Sequence, residues 1–185
     1  MARSHELYAD LARQLTDLRE ILANGADAPE EVFREFRESA RRTNELFTIM
    51  AFRAETEPFW QHVVEPAAAA VGLRPVRIDT EEPEAAISEA ILSSIRRATL
   101  VLCDLSFERP NCYFEAGFAK GSFRRVIFTA RADHDPRAAH RGEYRVHFDV
   151  DQLRITFWNP EDLPRARAAV QERLANILRE IQPGD

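Results

Sequence analysis

Hydrophobic positions change their period along the chain. Leu7, Leu11, Leu15, Leu18 and Leu22 recur at three- and four-residue intervals, the period of one helix face. "NGADAPEE" breaks that pattern. Asn24-Gly25 is a helix stop, and Asp27 with Pro29 and Glu30 is a helix start. A second helix is therefore expected to run to about Thr43, with Val32, Phe33, Phe36 and Ala40 on one face. Residues 1–44 read as a helical hairpin. A helix pair this short cannot bury both of its faces alone, so it either packs on the rest of the chain or mediates self-association.

From residue 45 onward, short apolar runs alternate with amphipathic ones. "ELFTIMAF" is a strand candidate, "EPFWQHVVEPAAAAVG" is helical and closes at Gly72, and "LRPVRID" is a second strand. "PEAAISEAILSSIRRA" is a helix with Ala86, Ile87, Ile91 and Ile95 on its inner side. "TLVLCDL" is apolar without alternation, as expected of a third strand covered on both faces. Asn111, with Pro110 before it, is placed to start the helix "NCYFEAGFAKG", and "RRVIFTA" is a fourth strand. After a polar stretch, 131–143, come the extended segments "YRVHFDV" and "LRITFW" and then the closing helix "PEDLPRARAAVQERLANILREI". Strand and helix alternate, so residues 45–185 are expected to form an α/β domain: a flavodoxin-like three-layer sandwich with a mostly parallel sheet.

Composition narrows the function classes. A net charge of −6 argues against nucleic-acid polymers and anionic membranes as partners, while leaving room for a local basic phosphate pocket. No run reaches the length of a membrane span, and no signal-peptide pattern is seen. With only Cys103 and Cys112 as thiols, a reduced cytoplasmic setting is expected, and Cys103 reads as a small core residue. His5, His62, His134, His140 and His147 have no metal-ligand spacing, so no metal is expected.

In an open parallel sheet, ligands bind beyond the carboxyl ends of the strands. That rule selects Met50, Phe52 and Arg53 after the first strand and Asp79 after the second. It also selects Asp104 and Ser106 after the third strand and Thr129, Ala130 and Arg131 after the fourth. Glu115 lies one helical turn beyond Asn111 on the same face, between Phe114 and Ala116. It is either an ordinary glutamate of the outer stripe or a carboxyl held in a partly apolar pocket, where desolvation would suit it to acid–base work. Trp60, Trp158 and His147 read as packing residues, and Asp149 as a chain-turning or pocket-lining acid.

The blocks "LFTIMAFRAETEPFWQHVVEPAAAAVGLRPVRIDT" and "ISEAILSSIRRATLVLCDLSFERPNCYFEAGFAKG" resemble the nucleoside 2-deoxyribosyltransferase-like superfamily and, within it, bacterial TIR-like proteins. Asp104, Ser106, Pro110, Asn111, Tyr113, Glu115, Gly117 and Ala119 carry the resemblance. It implies cleavage or transfer of the base–ribose bond of a nucleoside, nucleotide or NAD, with Glu115 as the catalytic carboxylate. It further implies that Asp104 contacts the sugar hydroxyls or the leaving base, that Asn111 orients Glu115 or a ribose hydroxyl, and that Arg53 meets a phosphate. The loop "LSFERP" is shorter than in the transferases, which points to a nucleotide- or NAD-directed N-glycosidase of the TIR-like side. Many members of that group serve in signalling and antiphage defence, and a homo-oligomer formed through the N-terminal hairpin or a domain face is expected. A non-catalytic nucleotide-binding or assembly module is the alternative. No cofactor is expected, NAD or a nucleotide being a candidate substrate instead. A phosphoacceptor receiver domain is disfavoured because "IMAFR" supplies no acidic pair for Mg²⁺. A dinucleotide-binding Rossmann domain is disfavoured because no G-x-G-x-x-G follows the first strand.

Overall fold

Leu100–Asp104 is buried along its whole length, and the sheet is built outward from it. The computed structural model describes residues 43–78, 89–138, 143–147, 150 and 152–181. The expected helical hairpin, Ala86, Ile87, Asp79 and Asp149 lie outside the described residues. The strands are β1 (Glu45–Ile49), β2 (Arg74–Val76), β3 (Leu100–Asp104), β4 (Val126–Arg131) and β5 (Ile155–Trp158). The helices are α1 (Glu57–Phe59), which runs through a π-turn at Trp60–Val64 into α2 (Glu65–Ala70), then α3 (Glu89–Arg97), α4 (Pro110–Gly121) and α5 (Leu163–Ile181).

The five strands lie in the order β2-β1-β3-β4-β5, and every pairing is parallel. This is the flavodoxin-like order, all parallel where a mostly parallel sheet was expected. Strand order reverses between β1 and β3, so the crevice for a ligand opens at their carboxyl ends. Pro75 sits on edge strand β2, where a missing ladder donor is tolerated.

Alternation along the strands assigns each side chain to a face. Leu46, Met50, Leu100, Leu102 and Ile127 pack with Phe59, Val63, Val64, Ala67 and the α5 residues Ala166, Val170 and Leu174. Phe47, Ile49, Val101, Cys103 and Phe128 pack on the other face with Ile91 and Ile95 of α3 and Cys112, Ala116 and Ala119 of α4. Burying a side chain of this size stabilises by about 1.5–3 kcal/mol. Cys103 is a core residue, as its apolar run implies.

Three local features differ from the sequence reading. The helix after β1 is interrupted by a π-turn, closed by the Glu65 N–H donating to the Trp60 carbonyl. The turn ends two residues before Pro66, which has no N–H to give to His62 and clashes with a regular turn there. Secondly, α4 begins at Pro110 with Arg109 as its extended cap residue, so Asn111 is its second residue rather than its start.

Finally, Tyr144–His147 is irregular rather than a strand. Its backbone donors go to loop and side-chain acceptors instead of a neighbouring strand. Arg145 N–H donates to Glu108 Oε1 at 3.2 Å, Val146 N–H to the His134 carbonyl at 2.9 Å, and His147 N–H to the Tyr113 hydroxyl at 3.1 Å. The segment thereby covers the β3–α4 loop.

On the α5 face of β1, the buried Thr48 hydroxyl has no hydrogen-bond partner among the described residues. An unsatisfied buried hydroxyl costs about 1–3 kcal/mol. Thr48→Val, which keeps the branched shape, is therefore expected to stabilise the fold by about 1 kcal/mol. Thermal unfolding should show Tm rising by about 2–4 °C for a chain of this length. A lower Tm would show that the hydroxyl has a partner.

Candidate functional site

Asp104 ends β3 and is fully buried. It follows Leu102 in the alternation and so faces the α5 side of the sheet. One oxygen, Oδ1, accepts the Ser106 N–H at 3.1 Å; Oδ2 accepts the Thr129 hydroxyl and the Trp158 Nε1–H, both at 2.8 Å. Burial raises its pKa, and the bonds from Ser106, Trp158 and Thr129 pull it back down. The carboxyl thus ties the ends of β3, β4 and β5 together from within. The sequence reading gave it sugar hydroxyls or a leaving base to contact; the fold turns it inward onto three protein donors.

Ser106 is also buried, and its Oγ accepts the Arg131 N–H at 2.9 Å, so it holds the end of β4. Met50 is buried in the core beside Arg77. Phe52 and Arg53 lie at the surface after β1, and Asn111 is exposed on the first turn of α4.

Glu115 projects from the other face. It is half-buried, flanked in sequence and along the helix by the core residues Cys112, Ala116 and Ala119. Phe118, three residues on and hence on the same side of α4, lies under the Arg96 guanidinium of α3 at 5.1 Å. No hydrogen bond or ion pair engages Glu115 among the described residues. Burial alone pushes its pKa from 4.5 to about 7. Its protonated form is favoured in the fold, so its contribution to stability is full below about 4.5 and is lost as the pH rises through about 7.

The sheet therefore separates the two carboxyls that the sequence paired. Both bear on the cysteines between them. Burial first, then Cys112, Asp104 and Glu115, raise the Cys103 thiol; burial, then Glu115 and Asp104, push the Cys112 thiol up to about 12.

At the carboxyl edge, Phe107, Arg77 and His134, which the sequence reading missed, join Arg53 and Arg131, which it selected. Phe107 lies between two guanidiniums, with Arg53 at 4.6 Å and Arg131 at 5.5 Å from its ring centre. Arg77, just after β2, lies over Trp60 at 4.5 Å and Phe52 at 5.2 Å. Each arginine also meets an acid: Arg53 with Glu55 at 3.6 Å, Arg77 with Glu57 at 2.9 Å, and Arg131 with Asp133 through two bonds of 3.0 and 2.9 Å.

Phe107 and Glu108 are both left-handed, with φ 67° and 47°. That conformation costs a bulky residue about 1–3 kcal/mol. What holds it is a buried aromatic cluster, with His134 at 5.1 Å and Tyr144 at 5.4 Å from the Phe107 ring. The Phe107 N–H donates to His134 Nδ1 at 3.3 Å. Burial, outweighing the pull of Asp133, lowers the His134 pKa and keeps the ring neutral, as an acceptor at Nδ1 must be. Position at a strand's carboxyl end was the signal for Arg131; nothing local marks Phe107 or His134.

No family model matches the chain. No curated protein matches it. Among solved structures it is similar to a hypothetical protein from Thermus thermophilus, with 18% identity and a TM-score of 0.41. The match covers 90% of this chain and 46% of that one, so the chain spans about half the length of that protein.

Asp104→Asn replaces one acceptor oxygen with an NH₂ that must face a donor. It is expected to destabilise the domain by about 2–3 kcal/mol. Urea denaturation followed by tryptophan fluorescence checks this, and an unchanged midpoint would mean that the three bonds are not made.

Proposed function

We propose that the domain binds a nucleotide at the carboxyl edge of the sheet and cleaves its base–ribose bond, with Glu115 as the working carboxylate. The observation that carries the proposal is the environment of Glu115: desolvated, unpartnered among the described residues, with a pKa pushed to about 7. A carboxylate that lacks a compensating charge is stabilised by positive charge developing beside it. Glycosidic cleavage supplies that charge. As the C1′–N bond breaks, its electron pair leaves with the base, and the sugar becomes oxocarbenium-like. Ionised Glu115 would stabilise that centre, or capture it in a bond to C1′ that breaks again as water adds its hydroxyl there; the water's proton goes to a base that leaves as an anion, or to solvent where the base leaves neutral, as nicotinamide does.

The arginines at the strand ends support a phosphate-bearing substrate. Guanidiniums match phosphate in geometry and charge, and Arg53 has the longest ion pair of the three. Asn111, exposed one turn before Glu115 on the same side of α4, would meet a ribose hydroxyl. The Asn111-x-x-x-Glu115-x-Gly117 resemblance supports the same reading and extends it to self-assembly and to a role in signalling or defence.

A second reading is nucleotide binding without cleavage. The inward turn of Asp104 favours it, because a single carboxyl then remains to do the chemistry.

A panel of NAD, NADP, CMP, dCMP and deoxynucleosides, assayed for base release, separates the two. Release by the wild type and a loss of about 10²–10⁴-fold in Glu115→Gln, with nucleotide affinity kept, is expected of the enzyme. Binding of the nucleotide with no release by the wild type would favour the second reading, and release undiminished in Glu115→Gln would remove Glu115 from the chemistry.

A further inference from the structure

At the amino edge of the sheet, opposite the site above, a cavity of about 360 Å³ lies between the last turns of α5 and the chain entering β5. It is lined by Arg154, Arg173, Asn176, Ile177, Arg179 and Glu180. Three guanidiniums and one carboxylate in one small cavity depart from the character of a chain whose net charge is −6.

The carboxylate does not neutralise them. Glu180 is engaged by Arg125 from outside, at 3.8 Å, and no carboxylate pairs with Arg154, Arg173 or Arg179 among the described residues. Arg173 is part-buried and fixed. Its Nη1 donates to the Phe128 carbonyl at 3.2 Å, the Arg154 carbonyl at 3.0 Å and the Thr156 hydroxyl at 2.8 Å. Those bonds hold the guanidinium in place through neutral acceptors, and no carboxylate among the described residues compensates its charge. Burial lowers the Arg173 pKa, and Arg154 lowers it further, so the fold holds two like charges against each other. The end of a helix accounts for a cation such as Arg179 by itself, since the macrodipole favours positive charge there. It does not account for Arg154, which lies outside the helix, or for Arg173, two turns back from its end.

We propose that this cavity binds a small organic phosphate. Guanidinium forks match phosphate oxygens, and a multiply charged group relieves the repulsion that a single carboxylate would leave in part. The volume is at the small-molecule end of ligand sites, and the chain's overall negative charge opposes a polyanionic polymer. Ile177 offers an apolar wall; the Asn176 amide oxygen accepts the Arg179 Nη2–H, which leaves its NH₂ to the rest of the ligand. The site is separate from the Glu115 edge and stands whether or not that edge cleaves a nucleotide.

Pyrophosphate titrated into the full chain by calorimetry at low salt tests the site. Arg154 and Arg179 are exposed, so Arg154→Glu combined with Arg179→Glu should leave the fold intact, which circular dichroism checks. If the double reversal does not fold, Arg154→Gln gives the same reading with a smaller change. Wild type is expected to bind with an affinity that falls as salt rises. The double reversal should lose about tenfold or more, a change worth about one charge-assisted contact. Arg53→Ala, at the other edge, should keep this binding. No binding by the wild type, equal binding by the double reversal, or loss in Arg53→Ala alone would each overturn the proposal.

Discussion

The carboxyl edge of the sheet depends on one buried carboxyl. Asp104 lies at the end of the central strand with no access to water, a position that strongly opposes its charge. Three donors make it tenable: the backbone of the β3–α4 loop, a hydroxyl on β4 and the indole of β5. Ser106 follows Asp104 closely, but Thr129 and Trp158 lie far from it in sequence. Each bond therefore fixes a chain segment relative to β3, and together they set where the strand ends stop. Ser106 adds a fourth tie by holding Arg131, which in turn packs against Phe107. The left-handed Phe107–Glu108 turn persists because this framework and the His134–Tyr144 cluster over-determine it.

That framework leaves Glu115 on the opposite face in a different environment. Asp104 is buried and satisfied; Glu115 is half-buried and unsatisfied among the described residues. The first arrangement rigidifies, while the second leaves a carboxyl that no protein group holds among the described residues, the feature on which the proposed chemistry rests. Two acids in one short block thus acquire two roles from the side of the sheet on which each falls.

Much of the fold was legible in the sequence. Unalternating "TLVLC" marked a strand covered on both faces, and alternation of strand and helix patterns marked the parallel three-layer sheet. Element boundaries were less legible. "YRVHFDV" has the apolar alternation of a strand, yet Tyr144–His147 gives its backbone donors to His134, Tyr113 and Glu108, contacts that no local pattern encodes. The strand-end rule found Asp104, Ser106 and Arg53, but could not tell which would face inward. The faces follow from residue parity along β3: Asp104 falls with Leu102, and Cys103 with the α4 layer that bears Glu115. The Asp104–Trp158 bond spans 54 residues and has no sequence signature, which is why Trp158 read as packing alone.

The division of roles rests on the protonation of one side chain. A ¹³C NMR titration of the Glu115 side-chain carboxyl, assigned by the loss of its signal in Glu115→Gln, measures it directly. A midpoint near 7 is expected from its burial; a midpoint near the ordinary 4.5 would show a solvated helical glutamate and contradict the role proposed for it.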